Sequence, residues 1–202
     1  MRRAALRRSE LCAVDLLCKQ GFSSIYDLAH PVLSRFRLPV SVSFESFAGY
    51  CAKTGVDPAV FATSNRADGM TVRLGGAYLV LYNEQVKSER RVAFTLAHEI
   101  GHIMLSHAGD ADVAATEERE ANAFAAALLA PAVAIRYLAH REKRQTIDGT
   151  WLQANFFLSA EAADHRARDL ARLAVTPLAD SEVTLLLQLF GRLDGGERNR
   201  CI

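Results

Sequence analysis

Residues 94–107 read FTLAHEIGHIMLSH and contain two histidines four positions apart, with a glutamate directly after the first. Positions i and i+4 lie on one face of a helix about one turn apart, so the imidazoles of His98 and His102 can reach one metal ion. Glu99 is expected to lie off that face, close enough to contact a water beside the ion without binding the ion itself. This HExxH spacing is typical of metal-assisted hydrolysis with the glutamate as general base.

The alternative is a buried helix that contains these residues by chance. Composition predicts a chance HExxH in about 1% of chains of this length and histidine content. Two imidazoles and a carboxylate on a helix with apolar flanks would be half-buried, which is unfavourable without a partner. Gly101 also costs about 1 kcal/mol relative to alanine inside a helix. We therefore expect a metal site, and a strand or substrate passing close to the helix at Gly101.

A catalytic zinc site needs a third protein ligand. The pattern HExxHxxGxxH would supply a third histidine, but Leu105 and Ala108 occupy the positions that require glycine and histidine. His107 is one residue away from that spacing and is expected on a different face, as a histidine at the helix C terminus. The third ligand is therefore expected to be a glutamate of the following helix.

The following helix offers Glu117, Glu118 and Glu120. Its predicted buried stripe is apolar and consists of Ala121, Phe124, Ala125, Leu128 and Leu129. Glu118 borders this stripe, whereas Glu120 is expected nearer the solvent side. Glu118 also stands four residues before Asn122, which can hold the second ring nitrogen of a ligand histidine. We predict Glu118 as the third ligand, with Glu120 as the fallback.

The remaining sequence predicts an α+β fold that is mostly helical. Helices are expected at 9–20, 43–54, 88–107, 117–130, 132–144, 150–173 and 181–192, the sixth broken near Ser159. The runs MTVRL and AYLVLY predict a small antiparallel or mixed sheet, with a hairpin through Gly75 and Gly76, packed on the HExxH helix. Ser88 and Thr116 are the expected N-caps of the two site helices, which should end near Gly109 and at Pro131.

The 202 residues suit one domain or a domain with a small appendage. We expect a zincin-like metallopeptidase domain at 1–131, made of N-terminal helices, the sheet, the HExxH helix and the glutamate helix. Residues 132–202 are expected to form a C-terminal helix bundle on the same core, with a frayed tail at 195–200.

Charge and cysteine usage indicate where the protein works. The net charge of +1 gives no general attraction to nucleic acid. The four cysteines form no CxxC pair, which favours a reduced, cytoplasmic protein. The basic start MRRAALRR is not followed by the apolar segment of a signal peptide, and no run of 18 apolar residues predicts a membrane span.

Two linked motifs resemble a known family. RVAFTLAHEIGHIMLSH followed by EEREANAFAAALLAP is similar to the ImmA/IrrE metallopeptidases, whose pattern runs RFTLAHELGHxLLH and then ExxANxFAAxLLMP. The resemblance is close over 91–131 and looser in the upstream sheet and at 151–170, where it suggests a helix-turn-helix-like element. Ile100 replaces the family's leucine and Ala130 its methionine.

The resemblance implies a gluzincin-like Zn²⁺ site in which His98, His102 and Glu118 bind the metal and Glu99 is the general base. It implies a bacterial or phage metallo-endopeptidase that cleaves a helix-turn-helix repressor, an antirepressor role in stress, phage or mobile-element regulation. Mn²⁺ or Fe²⁺ can also occupy a His/His/Glu site.

Two alternatives stay open. One is a non-proteolytic metal-binding regulator that sequesters a repressor. The other is DNA binding through 150–173, which the acidic residues Glu161, Asp164 and Asp169 among the arginines disfavour. We expect a protein partner, no membrane and no direct nucleic-acid contact; the sequence gives no oligomeric state.

Overall fold

A computed structural model describes residues 41–62, 68–107 and 114–171. The predicted helices at 9–20 and 181–192, the tail at 195–200 and Gly109 lie outside the described residues. The strands are β1 (Ser41–Ser46), β2 (Gly69–Leu74) and β3 (Ala77–Tyr82). The helices are α1 (Phe47–Thr54), α2 (Ala59–Ala62), α3 (Glu89–Met104), α4 (Ala114–Leu129), α5 (Ala132–Arg141), α6 (Gly149–Asn155) and α7 (Ala160–Asp169). The predicted fold class, α+β and mostly helical, is confirmed.

The three strands form a mixed sheet in the order β1-β3-β2. β1 runs parallel to the central β3, and β2 runs antiparallel to it. β2 and β3 form the predicted hairpin, in which Gly75 has the left-handed φ of 61° that glycine adopts without strain. Val80 and Leu81 of β3 are both buried, in two different apolar clusters, so both faces of the central strand are covered.

The helix predicted over 43–54 is wrong in its first turn, because residues up to Ser46 form β1 instead. Phe44 packs against the main core, whereas Phe47 and Cys51 belong to the smaller cluster beneath the sheet. Pairing with the open edge of β3 outweighs the short helical periodicity of these residues. The Ser46 hydroxyl then caps α1 by accepting a hydrogen bond from the backbone N–H of Gly49.

The ends of the other helices agree with the sequence in part. Ser88 caps α3, and Ser159 caps α7 at the predicted break in 150–173. Thr116 is not the N-cap of α4, because that helix begins at Ala114 and the Thr116 hydroxyl accepts from Arg119. α3 ends at Met104 rather than near Gly109, which changes the position of His107.

The main core lies between α3, α4 and the helices that follow them. Its large, fully buried side chains include Ile100, Phe124, Leu128, Ile135, Leu152 and Phe156. Described residues before and after 131 thus contribute to one core. The division of the chain into regions at 131 stays a prediction.

Two arginines tie the C-terminal helices to the helices of the site. Arg90 on α3 donates from Nη1 to the carbonyls of Gln153, Phe156 and Leu158, at 2.7, 3.2 and 2.8 Å. Arg166 on α7 is buried and donates from Nε and Nη2 to the carbonyl of Ala130, just after α4. Because carbonyls at helix ends lack intrahelical donors, these bonds hold α3 and α4 in place.

Among the described helices, none by itself is both long and apolar enough to cross a membrane. The helices Ala115–Leu129 and Ala132–Arg141 are bent by 43° relative to each other, and taken together they have the length and apolar composition of a membrane span. The cytoplasmic location stays a prediction.

Candidate metal centre

His98 and His102 lie on one face of α3, as their spacing requires. Their Nε2 atoms are 3.0 Å apart, and the two rings meet edge to face with centroids 4.7 Å apart. The side chains are 16% and 18% exposed, so each ring is largely enclosed. The two Nε2 atoms therefore lie close enough together to bind one metal ion.

Glu118 on α4 faces both of these nitrogens. Its Oε2 lies 3.1 Å from His98 Nε2, and its Oε1 lies 3.5 Å from His102 Nε2. One ligand atom from each of these three side chains lies within 4.8 Å of the other two, close enough to surround one metal ion. We call His98, His102 and Glu118 the ligand group. The Glu118 side chain is 51% exposed, so the group opens toward solvent.

Asn122 determines which ring nitrogen of His98 faces His102 and Glu118. Its amide oxygen Oδ1 lies 3.0 Å from His98 Nδ1. An amide oxygen only accepts, so Nδ1 carries the proton and Nε2 keeps the lone pair that a metal needs. Asn122 thus contacts a ring nitrogen of His98 as the sequence predicts, and the role of His98 as a metal ligand stays a prediction. The donor set of two imidazole nitrogens and a carboxylate fits zinc, and also fits manganese or iron.

Glu99 belongs to the same helix but lies outside the ligand group. It is only 8% exposed, and its Oε2 accepts a hydrogen bond of 2.7 Å from the hydroxyl of Thr71 on β2. Gly69 allows this approach of the strand, because a Cβ there would lie 2.5 Å from the Thr95 methyl and 3.6 Å from Glu99 Cγ. The sheet therefore positions the carboxylate predicted to act as general base.

Sequence reasoning missed Thr71. Its residue type and place in MTVRL are ordinary for a strand, and the contact with Glu99 depends on how β2 sits against α3. The only local hint is Gly69, since a glycine at the start of a strand can mark a close approach.

The prediction that Glu120 lies nearer the solvent side of α4 than Glu118 is wrong. The Glu120 side chain is 15% exposed against 51% for Glu118, so the fallback ligand is the more buried of the two. Glu120 turns away from the ligand group, and its Oε2 lies 3.1 Å from His107 Nε2. The reason is the early end of α3, which folds His107 back between the two helices. Glu117 likewise does not belong to the ligand group of the described residues.

His107 also lies closer to the site than the sequence predicts. Its side chain is 4% exposed, and its Nδ1 lies 3.0 Å from His102 Nδ1. Among the described residues His107 lies outside the group formed by His98, His102 and Glu118, but its ring contacts His102 on the side away from that group. No glycine follows α3 before Gly109, so the sequence carried no strong signal for this turn.

The family model of peptidase M78, described as the IrrE N-terminal-like domain, matches residues 59–168. This range covers more than half of the 202 residues and includes α3, α4 and the sheet hairpin. No significant match is found to curated proteins or to solved structures.

Proposed function

We propose that this chain, which belongs to the peptidase M78 family, is a zinc-dependent endopeptidase that cuts a helix-turn-helix repressor at one site. Family membership supports peptidase chemistry of the IrrE type. The observation that supports the metal-dependent form most strongly is the convergence of His98, His102 and Glu118, with the buried Glu99 beside them.

The three converging side chains would hold the metal through two Nε2 atoms and a carboxylate. A zinc ion there would polarise the carbonyl of the scissile bond and make a water acidic enough to act as nucleophile near neutral pH. The open edge of the group, where Glu118 is half exposed, is the side from which a peptide can approach.

Glu99 would move the protons of the reaction. Its carboxylate accepts a proton from the attacking water while the water oxygen bonds to the carbonyl carbon. The carbon–nitrogen bond then breaks, and Glu99 passes the same proton to the leaving amine. Both hydrogens of the water are thus accounted for, one on the new amine and one on the new carboxyl group. The hydrogen bond from Thr71 holds the carboxylate in one orientation through these steps.

The repressor substrate rests on the resemblance of the paired motifs at 91–131 to the ImmA/IrrE metallopeptidases. A protease working beside other folded proteins needs selectivity beyond the scissile bond, which docking of one partner would provide. Cleavage of the repressor would release the genes it silences, which is the antirepressor role.

The proposal is tested by incubating the zinc-loaded protein with a helix-turn-helix repressor from the same genome and weighing the products by mass spectrometry. We expect two fragments from one cut, none in the presence of a chelator, and recovery of cleavage when zinc is returned. A repressor that stays intact beside the zinc-loaded protein would contradict the proposed substrate. Cleavage that persists in chelator would contradict the metal-dependent mechanism.

A further inference from the structure

The chain reverses sharply at the end of α3. Ser106 adopts a left-handed φ of 57°, its N–H bonds to the carbonyl of Ile103, and the N–H of His107 bonds to the carbonyl of His102 at 3.0 Å. This pair of bonds around a left-handed residue is the Schellman motif, in which the residues at the positions of His107 and His102 usually touch. A non-glycine residue in this conformation is strained by about 1 kcal/mol or more.

The turn places the His107 imidazole against the outer edge of His102. Their ring centroids are 4.9 Å apart at an interplanar angle of 76°, and the two Nδ1 atoms are 3.0 Å apart. On its other side, His107 Nε2 lies 3.1 Å from Glu120 Oε2. His102, His107 and Glu120 thus form a hydrogen-bonded chain, which we call the imidazole–carboxylate chain.

With one proton on each imidazole, the donors and acceptors of this chain fit one arrangement of protons. The Glu120 carboxylate accepts, so His107 Nε2 carries a proton and donates it. Neutral His107 then has a lone pair on Nδ1, which accepts from a proton on His102 Nδ1. His102 is left with its lone pair on Nε2, the atom that faces His98 and Glu118. The ring of His102 is therefore set in the tautomer that binds a metal.

We propose that His107 and Glu120 are positioning residues that hold His102 in its metal-binding tautomer and orientation. The inference rests on the proposed metal site and adds to it two residues, His107 and Glu120, that support the second histidine, His102. His98 receives the same support from the amide of Asn122. Residues that hold the second nitrogen of a ligand histidine typically change metal affinity by about 10–100-fold when they are lost.

A matched pair of variants separates positioning from simple packing. The Asn side-chain oxygen can take the place of the His107 Nδ1 acceptor, as Asn122 does for His98, so His107→Asn keeps a partner for His102. The Gln side chain reaches the place of Nε2, so His107→Gln keeps a donor to Glu120 but removes the acceptor for His102. Glu120→Gln keeps the shape and removes the charge. His165→Gln, at an exposed histidine of α7, is the control.

Two measurements are made on the whole protein: the zinc Kd by competition with a chelator, and the tautomer of His102 from long-range proton–nitrogen NMR of the imidazoles. We expect His107→Gln to weaken zinc binding by about 10–100-fold and to reduce the population of the Nδ1–H tautomer. His107→Asn and His165→Gln should stay close to the wild type. Glu120→Gln should weaken binding less than His107→Gln. Thermal unfolding shows which variants fold.

Equal zinc affinity in the wild type, His107→Gln and Glu120→Gln would overturn the inference while leaving the proposed function standing. A wild-type protein that binds no zinc would overturn both. If His107→Gln fails to fold, Glu120→Gln decides, because its unchanged affinity and unchanged His102 tautomer would contradict the role of the imidazole–carboxylate chain.

Discussion

A Cβ added to Gly101 would lie 3.2 Å from both the Cα and the carbonyl oxygen of Ala121, so α3 and α4 meet there backbone to backbone. The sequence predicted a close approach at Gly101 by a strand or substrate, and the approaching element is instead the next helix. Glu118 lies three residues before Ala121, about one helical turn away. The contact therefore fixes the position of Glu118 along the axis of α4 relative to His98 and His102.

Gly101→Ala should destabilise the protein and weaken zinc binding. The added methyl would also lie 3.1 Å from Phe124 Cδ1, and backbone atoms of Ala121 cannot turn aside as a flexible side chain can. Overpacking of this kind costs about 1–3 kcal/mol, and most of this range exceeds the gain of about 1 kcal/mol in helix propensity. Urea unfolding and chelator competition measure the two effects.

Gly76→Ala is the control for that change, because nothing lies within 4 Å of a Cβ at Gly76. We expect its free energy of unfolding to stay within about 0.5 kcal/mol of the wild type. A Gly101→Ala protein that is more stable and binds zinc unchanged would contradict the claim that this close helix contact positions Glu118.

Glu118→Gln should remove a metal ligand while keeping the shape of the side chain. We expect zinc affinity to fall by more than the roughly 100-fold that loss of a supporting residue causes, with little change in the fold. Its neighbour Glu117 lies outside the ligand group, so Glu117→Gln should bind zinc as the wild type does. Equal affinities in the two variants would show that Glu118 is not a ligand.

Thr71→Val should lower the rate of peptide cleavage without changing zinc affinity. Valine matches the shape of threonine but cannot donate the 2.7 Å hydrogen bond to Glu99 Oε2. Loss of a hydrogen bond to a charged group is worth about 1.5–3 kcal/mol, or about 10–100-fold in kcat/KM if it acts on the transition state. Thr71→Ser keeps the hydroxyl and should recover most of the activity. A valine variant with full activity would show that the hydrogen bond does not assist Glu99.

Removal of metal should lower the unfolding temperature. A ligand bound only by the folded state, present at 100 times its Kd, adds about 2.7 kcal/mol to the free energy of unfolding. Calorimetry of the wild type with zinc and with chelator measures the shift. Glu118→Gln should show little shift under the same conditions, and an equal shift in both proteins would place the stabilising ion elsewhere.

The sequence predicts the ligand group because its members are fixed by helical periodicity. His98 and His102 are one turn apart on one helix, and Glu118 and Asn122 are one turn apart on the next. The apolar stripes of both helices then require that these helices pack against each other. That packing determines which residues face the space between α3 and α4.

The remaining parts of the site depend on features that leave little trace in one sequence. Ser106 takes a conformation that glycine usually takes, so the sequence predicts a longer helix with His107 at its C-terminal end and does not predict that His107 contacts His102. Glu120 was misplaced for the same reason, because it is covered by His107. Thr71 reaches Glu99 through the packing of β2 on α3, which strand propensity does not determine.

Comparison of Glu99→Gln with the wild type tests most directly whether this site hydrolyses peptide bonds. Zinc content per chain and the rate of repressor cleavage are measured on the same preparations. We expect the variant to bind zinc and the repressor as the wild type does, and to cleave at least about 100-fold more slowly, because its amide cannot accept the proton of the attacking water. A variant that cleaves at the wild-type rate would contradict the role of Glu99. One that relieves repression in full without cleavage would show instead a regulator that acts by sequestering its partner.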